Sequence, residues 1–350
     1  MDQAVKGMTM QEALARLIAG HDLSRAQAEE VMSRIMEGEA TPAQIAGVLT
    51  ALRMKGETVD EIAGFATIMR AKSNRVNTAQ DCLLDTCGTG GSGIHKFNVS
   101  TSSAIIAAAA GVRVAKHGNR AMSGKAGSAD VLEALGVNIR LTPEQAAECL
   151  RETGICFLFA QLFHPSMKYA AGPRRELGVR TVFNMLGPLT NPAGADRQLI
   201  GLYDRTKTET IAEVLRQLGI KRALVVGSFE GLDEISISQD TQVSELKDGE
   251  IRTYVLTPED LGLARRPLSE VVGGSPEENA AIVRRVFAGE EHGAYRDIVL
   301  ANAGACIYLG GKAETLKAGV EAAAAVIDSG AAEAKLEELI RKTGEFADVS

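Results

Sequence analysis

The sequence predicts an α/β protein: a small N-terminal helical-bundle domain, and a large α/β domain whose mainly parallel sheet carries an antiparallel section. Three observations predict it. Residues 8–71 place apolar side chains at helical spacing, with no stretch that alternates as a strand does. From residue 82 onward, short apolar runs alternate with helical segments, the pattern of a parallel sheet. Two further short runs, 243–246 and 251–255, flank Asp248-Gly249, which is a hairpin signal and therefore antiparallel.

The helices follow in order. Met10, Leu14, Leu17 and Ile18 form the first apolar stripe. Ser24 caps a second helix carrying Ala28, Val31, Met32, Ile35 and Met36. Thr41-Pro42 opens a third, with proline in the first turn, through Ile45, Val48 and Leu52. Gly56-Glu57-Thr58 closes it and starts a fourth, with Ile62, Phe65, Ile68 and Met69. The polar stretch 71–81 reads as a linker. Residues 82–87 are a short strand, 100–111 a helix and 112–115 a strand. Helices over 129–135 and 143–153 and buried strands at 155–160, 198–203 and 223–227 continue the pattern, and the chain ends in alanine-rich helix from residue 301. The division is residues 1–74, rejoined by about 165–187, against residues 75–350.

Composition removes several function classes. A net charge of -7 argues against a general nucleic-acid binder, which is usually basic. The longest apolar run, 104–112, is too short to cross a membrane, and residues 1–20 are too polar for a signal peptide. The five cysteines match no zinc or disulfide spacing, which suits buried thiols in the cytoplasm.

The chemistry concentrates after the first strand. Gly88-Thr89-Gly90-Gly91-Ser92-Gly93 lets backbone amides approach a ligand and cradle an anion. Asn98-Val99-Ser100-Thr101 opens a helix, whose N-terminus suits a second phosphate. Neither the Walker spacing nor a dinucleotide fingerprint is present. Lys116-His117-Gly118-Asn119-Arg120 follows the next strand, where open α/β sheets bind ligands. Ser123, Gly124, Lys125 and Ser128 extend that loop. Asp233-Glu234 offers the hard oxygen ligands magnesium takes.

Together these pieces resemble the anthranilate phosphoribosyltransferases. The likeness extends to the stretches 38–45, 180–184, 186–192 and 231–234, and so covers nearly the whole chain. It implies transfer of phosphoribose from phosphoribosyl pyrophosphate (PRPP) to anthranilate, in a magnesium-dependent homodimer joined through its helical domain. In that scheme Gly88 and Gly91 line the pyrophosphate cradle, and Ser92 and Lys96 fall in the same PRPP site, where the Lys96 ammonium either adds a phosphate contact or points to solvent. Asn98, Val99, Ser100 and Thr101 hold PRPP. Lys116, His117, Gly118, Asn119, Arg120, Ser123, Gly124 and Ser128 continue its site. Gly88, His117, Asn119 and Arg174 face anthranilate, with His117 and Arg174 positioning it. Ser100, Asp233 and Glu234 hold two Mg2+ ions. No covalent nucleophile is implied. Met10, Ile45, Val48, Leu52 and Met69 read as a surplus of apolar surface for the dimer contact.

The chain departs from the family pattern at four places. Ser92 stands where an Asp is usual, Lys96 where Thr is common, Gly124 for a serine, and Gln239-Asp240 for a Gly-Pro step. Two rivals share the fold: a pyrimidine nucleoside phosphorylase and a non-catalytic nucleic-acid-binding relative. Asp233-Glu234 and the 116–120 motif disfavour the first, and the absence of a basic face disfavours the second.

Overall fold

The computed structural model describes residues 7–78, 81–90, 93–121 and 125–347. Four helices come first: α1 (Met10–Ile18), α2 (Arg25–Glu37), α3 (Pro42–Lys55) and α4 (Val59–Ala71). Each starts at a Thr or Ser that exchanges hydrogen bonds with a Glu or Gln three residues on. The pairs are Thr9 with Glu12, Ser24 with Gln27, Thr41 with Gln44, and Thr58 with Glu61. Such a reciprocal box satisfies amides that a helix start leaves open, so local sequence alone places all four starts.

The remainder builds a seven-stranded sheet. Its strands are β1 (Leu83–Gly88), β2 (Arg113–Gly118), β3 (Ile155–Phe159), β4 (Arg197–Gly201), β5 (Arg222–Ser228), β6 (Thr241–Lys247) and β7 (Glu250–Leu256). Their spatial order is β3-β2-β1-β4-β5-β6-β7. The first five run parallel, and β6 and β7 add the antiparallel section. Asp248 and Gly249 both take positive φ in the turn between them, as a two-residue hairpin loop requires. The expected architecture is therefore the observed one.

Helices α5 (Val99–Ala109), α6 (Ser128–Ala134) and α7 (Pro143–Thr153) connect β1, β2 and β3. Short helices α8 (Ala160–Phe163), α9 (Lys168–Leu177) and α10 (Phe183–Leu186) separate β3 from β4, and α11 (Thr208–Gln217) leads to β5. The chain closes with α12 (Pro276–Phe287), α13 (Ala294–Leu309), α14 (Leu316–Asp328) and α15 (Ala331–Glu345). Among the described residues no helix is long and apolar enough to cross a membrane.

Two boundaries differ substantially from expectation. β2 runs on to Gly118, because Lys116 and His117 pair with Phe157 and Leu158 of β3. Sheet pairing overrides their polarity. The C-terminal helical region starts at Ala294 and is broken into three helices.

Apolar side chains form two clusters. One lies between the sheet and α5, α7, α12, α13, α14 and α15. The other joins α1–α4 to Ala170, Phe183, Leu186, α11 and the opposite side of β4 and β5. Met10, Ile45, Val48, Leu52 and Met69 belong to that second cluster, none more than 5% exposed. The reading of these five as a docking surface is thus corrected: the chain itself covers them. Ile18 (72% exposed) and Met54 (84%) are the bundle's large exposed apolar residues among those described.

The α13–α14 crossing depends on two glycines. A Cβ on Gly319 would stand 2.2 Å from the Gly304 carbonyl oxygen. Gly319→Ala is expected to lower unfolding free energy by about 1–3 kcal/mol, although alanine is the better helix former. Gly344→Ala in α15, where nothing lies within 4 Å, serves as the control and should be neutral or slightly stabilising. Equal midpoints for both variants in urea would contradict the close crossing.

Candidate active site

β1 is flanked by β2 on one side and β4 on the other, both parallel to it. The strand order reverses there, so a crevice opens beyond the carboxyl end of β1. The glycine-rich loop leaves β1 at this point. Gly88 pairs in register with Gly201 at the end of β4. Asp233 lies across both. A Cβ on Gly88 would be 2.3 Å from Asp233 Oδ2, and one on Gly201 would be 1.9 Å from the Asp233 carbonyl oxygen. Gly90 donates its amide to Asp233 Oδ2 at 2.9 Å, and Thr89 donates to the Gly201 carbonyl at 2.9 Å.

Asp233 and Glu234 are both buried. Burial pushes Glu234 up to about 7, against the pull of Lys96. Burial also acts to raise Asp233, but the Lys96 ammonium and the Gly90 amide outweigh it and hold that carboxyl below its usual value. Asn302 on α13 fixes the next residue: its Oδ1 accepts from the Ile235 amide at 2.9 Å, and its Nδ2 donates to the Ile235 carbonyl at 3.0 Å.

The N-terminus of α5 faces the same crevice. Asn98 precedes it but makes no side-chain cap. Its Nδ2 donates to the Ala126 carbonyl at 3.2 Å, and its Oδ1 accepts from Asn279 Nδ2 at 2.9 Å. The first-turn amides are therefore left uncapped by a side chain, which favours an anion there. Lys116 Nζ is buried and donates to the Thr86 carbonyl at 2.6 Å and to Ser100 Oγ at 3.3 Å. Thr101 Oγ1 is buried without a hydrogen-bond partner.

At the end of β2, the His117 amide donates to buried Asp85, whose other oxygen accepts from Asn191 Nδ2 at 2.8 Å. Burial raises Asp85 to about 6. The rings of His117 and His164 lie 5.0 Å apart. The backbone of Gly187 acts to raise His117 and that of Thr190 to raise His164, while both Nε2 atoms are buried without a hydrogen-bond partner. Burial lowers His117 to about 3 and His164 to about 4, so both rings are neutral near pH 7. Arg174, in the last turn of α9, lies 4.9 Å from the Phe183 ring centroid and has no ion pair among the described residues. Partial burial lowers its pKa, so an incoming carboxylate would meet a poorly solvated guanidinium.

Two family models match the chain: the glycosyl transferase family helical bundle domain over residues 11–73, and the a/b domain of the same family over residues 80–333. The chain is 54% identical to the anthranilate phosphoribosyltransferase of Brevibacillus brevis over 93% of its own length and 95% of the relative's. It is likewise 54% identical to that of Alkalilimnicola ehrlichii, over 97% and 100%. This chain belongs to the anthranilate phosphoribosyltransferase family. A crystal structure of the Thermus thermophilus member superposes with a TM-score of 0.90 at 47% identity, covering 95% of this chain and 99% of that one. The Saccharomyces cerevisiae member in complex with PRPP and Mg gives 0.88 at 27% identity, covering 96% and 98%.

Residues singled out in the sequence on this family likeness do not all gather in one place. Gly88, Lys96, Asn98, Val99, Ser100, Thr101, Asp233 and Glu234 gather at the β1 loop and the start of α5, while Lys116, His117, Gly118, Asn119 and Ser128 sit around the end of β2. Arg120 is engaged elsewhere, with Asp130 at 2.9 Å and Glu133 at 2.5 Å, both on α6. Gly91, Ser92, Ser123 and Gly124 lie outside the described residues. Sequence reasoning missed Asp85, His164, Asn191, Asn279 and Asn302. His164, Asn279 and Asn302 are isolated in the sequence and join the site only through long-range contacts, whereas Asp85 lies in β1 just before the glycine loop and Asn191 in the stretch 186–192, and only folding brings these two together.

The histidine pair makes a pH prediction. Its folded-state values lie below the ordinary 6.5, so the unfolded chain binds more protons as pH falls from about 6.5 toward 4. Stability should be full above 6.5 and fall by about 1 kcal/mol per pH unit per histidine below it. Urea melts from pH 7 to 4.5 should show a shallower decline for His117→Gln/His164→Gln. Parallel curves would reject the pair as its source.

Proposed function

We propose that this chain transfers the 5-phosphoribosyl group of PRPP to the amine of anthranilate and releases pyrophosphate, a step of tryptophan biosynthesis. One observation carries the reading: a buried Asp233–Glu234 pair closes the glycine loop at the sheet's switch point, in a chain 54% identical to curated anthranilate phosphoribosyltransferases. A yeast relative is described in complex with PRPP and Mg, and another structure of it with 4-fluoroanthranilate.

The reaction is a displacement at C1 of the ribose: the bond to pyrophosphate oxygen breaks and the bond to the amine nitrogen forms. Loop amides from residue 88 onward and the open start of α5 receive the phosphates without reorganising. Gly88, Gly91, Ser92, Lys96, Asn98, Val99, Ser100, Thr101, Lys116, Gly118, Asn119, Ser123, Gly124 and Ser128 are assigned to PRPP. Arg120 joins them through its loop position alone. Arg174 takes the anthranilate carboxylate beside Gly88, His117 and Asn119. His117 is too acidic when protonated to serve as a base near pH 7, so it positions the ring. An aromatic amine is already neutral there and attacks without prior deprotonation, and the proton its nitrogen sheds after bond formation passes to the departing pyrophosphate or to water. Holding both substrates in line supplies several kcal/mol of the barrier reduction.

The donor set fits magnesium. No group of three or more His, Cys, Asp and Glu gathers among the described residues, and Mg2+ characteristically takes one or two carboxylates and completes its shell with water and phosphate. Asp233 and Glu234, with Ser100, would hold two ions, which when bound would neutralise charge growing on the departing pyrophosphate. We assign residues 1–74 with about 165–187 to the helical part and 75–350 to the phosphoribosyl-binding part. The location is the cytoplasm, and the assembly a homodimer through the helical part, where Ile18 and Met54 are exposed.

Anthranilate fluorescence should fall only with PRPP and magnesium present, and not at all in Asp233→Ala/Glu234→Ala. A folded, PRPP-binding protein that leaves anthranilate untouched would point to a different acceptor. Arg174→Ala should raise KM for anthranilate about tenfold to a hundredfold, as expected for a lost charge-assisted contact, with kcat little changed. An unchanged KM would remove Arg174 from the acceptor site.

A further inference from the structure

Lys96 enters the crevice from the loop before α5. Its ammonium donates to Asp233 Oδ1 and stands 3.5 Å from Glu234 Oε1. The three side chains are 14%, 3% and 6% exposed respectively, so water screens this contact poorly. The lysine backbone is held as firmly as its side chain. Lys96 forms a β-bridge with Val272, Phe97 donates to the Val271 carbonyl at 3.3 Å, and Gly273 donates to the His95 carbonyl at 3.1 Å. A Cβ on Gly273 would approach the Lys96 carbonyl to 2.6 Å, so this neighbour is pressed against the chain that carries the ammonium. The Phe97 ring packs edge-on against Tyr295 at 5.2 Å, and Tyr295 donates to the Val272 carbonyl at 2.8 Å.

We propose that Lys96 is an internal counter-cation that competes with magnesium for the Asp233–Glu234 pair. A cation held by these carboxylates would have to take the oxygens that the ammonium already contacts, and two cations that close repel. Metal binding at the pair therefore requires Lys96 to be displaced, and the ligand-free enzyme binds magnesium weakly there. Removing the ammonium has the opposite effect on the apo protein: it leaves two buried carboxylates facing each other, so the variant depends on metal for stability. The inference rests on the assignment of Asp233 and Glu234 to magnesium.

The test is titration calorimetry with MgCl2 in the absence of PRPP, on native protein, Lys96→Thr, Lys96→Gln and Lys96→Arg. Thr and Gln variants should bind magnesium at least tenfold more tightly than native, and Arg no more tightly. Thermal melts give a second readout: magnesium should raise the Tm of Lys96→Gln more than that of native protein, which covers the case in which the Thr variant folds poorly. Adding Asp233→Ala/Glu234→Ala should abolish the gain. Equal magnesium affinity with and without the lysine, while the carboxylates are still required, would overturn the competition and leave the functional reading intact. Magnesium binding that ignores Asp233→Ala/Glu234→Ala would overturn both.

Discussion

The site depends on one steric constraint: a carboxylate residue laid across the ends of two neighbouring parallel strands. Asp233 can rest there only because Gly88 and Gly201, paired in register, both lack a Cβ. From that position it anchors the start of the glycine loop through the Gly90 amide and meets the Lys96 ammonium. It also places Glu234 next to them, with Ile235 tied to Asn302 on α13. The glycine loop, the acidic pair and the lysine are thus one assembly. A side chain at either glycine would separate them by its contact with Asp233 alone.

Around this assembly the protein keeps several ionisable groups away from water: Asp85, Lys116, Asp233 and Glu234 are all buried. Such charges are costly unless paired and hydrogen-bonded. Lys116 lowers the pKa of Asp85 and donates to Thr86 and Ser100, while Asn191 and the His117 amide supply hydrogen bonds to Asp85. The buried network fixes the end of β2 relative to β1 and so sets where His117 and His164 meet. The neutrality of both rings follows from the same dryness.

Much of this was legible in the sequence, for reasons that differ by element. The helix starts of the bundle were readable because capping boxes are local: Ser24 and Gln27 are three residues apart. The hairpin was readable because Asp248-Gly249 suits its turn. The loop and the acidic pair were visible as contiguous motifs. What was hidden is set by long-range geometry. The extension of β2 through Lys116 and His117 depends on β3, which lies beyond two intervening helices. Asn279 reaches Asn98 from 181 positions away, and His164 is an isolated histidine until folding brings it to His117. The direction of Lys96 was equally unreadable: a lysine in a loop does not announce whether it faces phosphate, solvent or carboxylate.

The second apolar cluster has a consequence for how the chain matures. Helices α1–α4 look like a module complete by residue 71, yet the same core takes in Ala170, Phe183 and Leu186, then Ile211, Leu215, Val225 and Leu246. A nascent chain leaving the ribosome therefore carries an unfinished bundle until more than half of the protein has been synthesised. During that interval its apolar face is open to chaperones or to neighbouring chains. Proteolytic or genetic removal of the first 74 residues would, by the same logic, strip the cover from one side of β4 and β5. The helical part is less a detachable domain than the last layer of the sheet's own packing, made first and finished late.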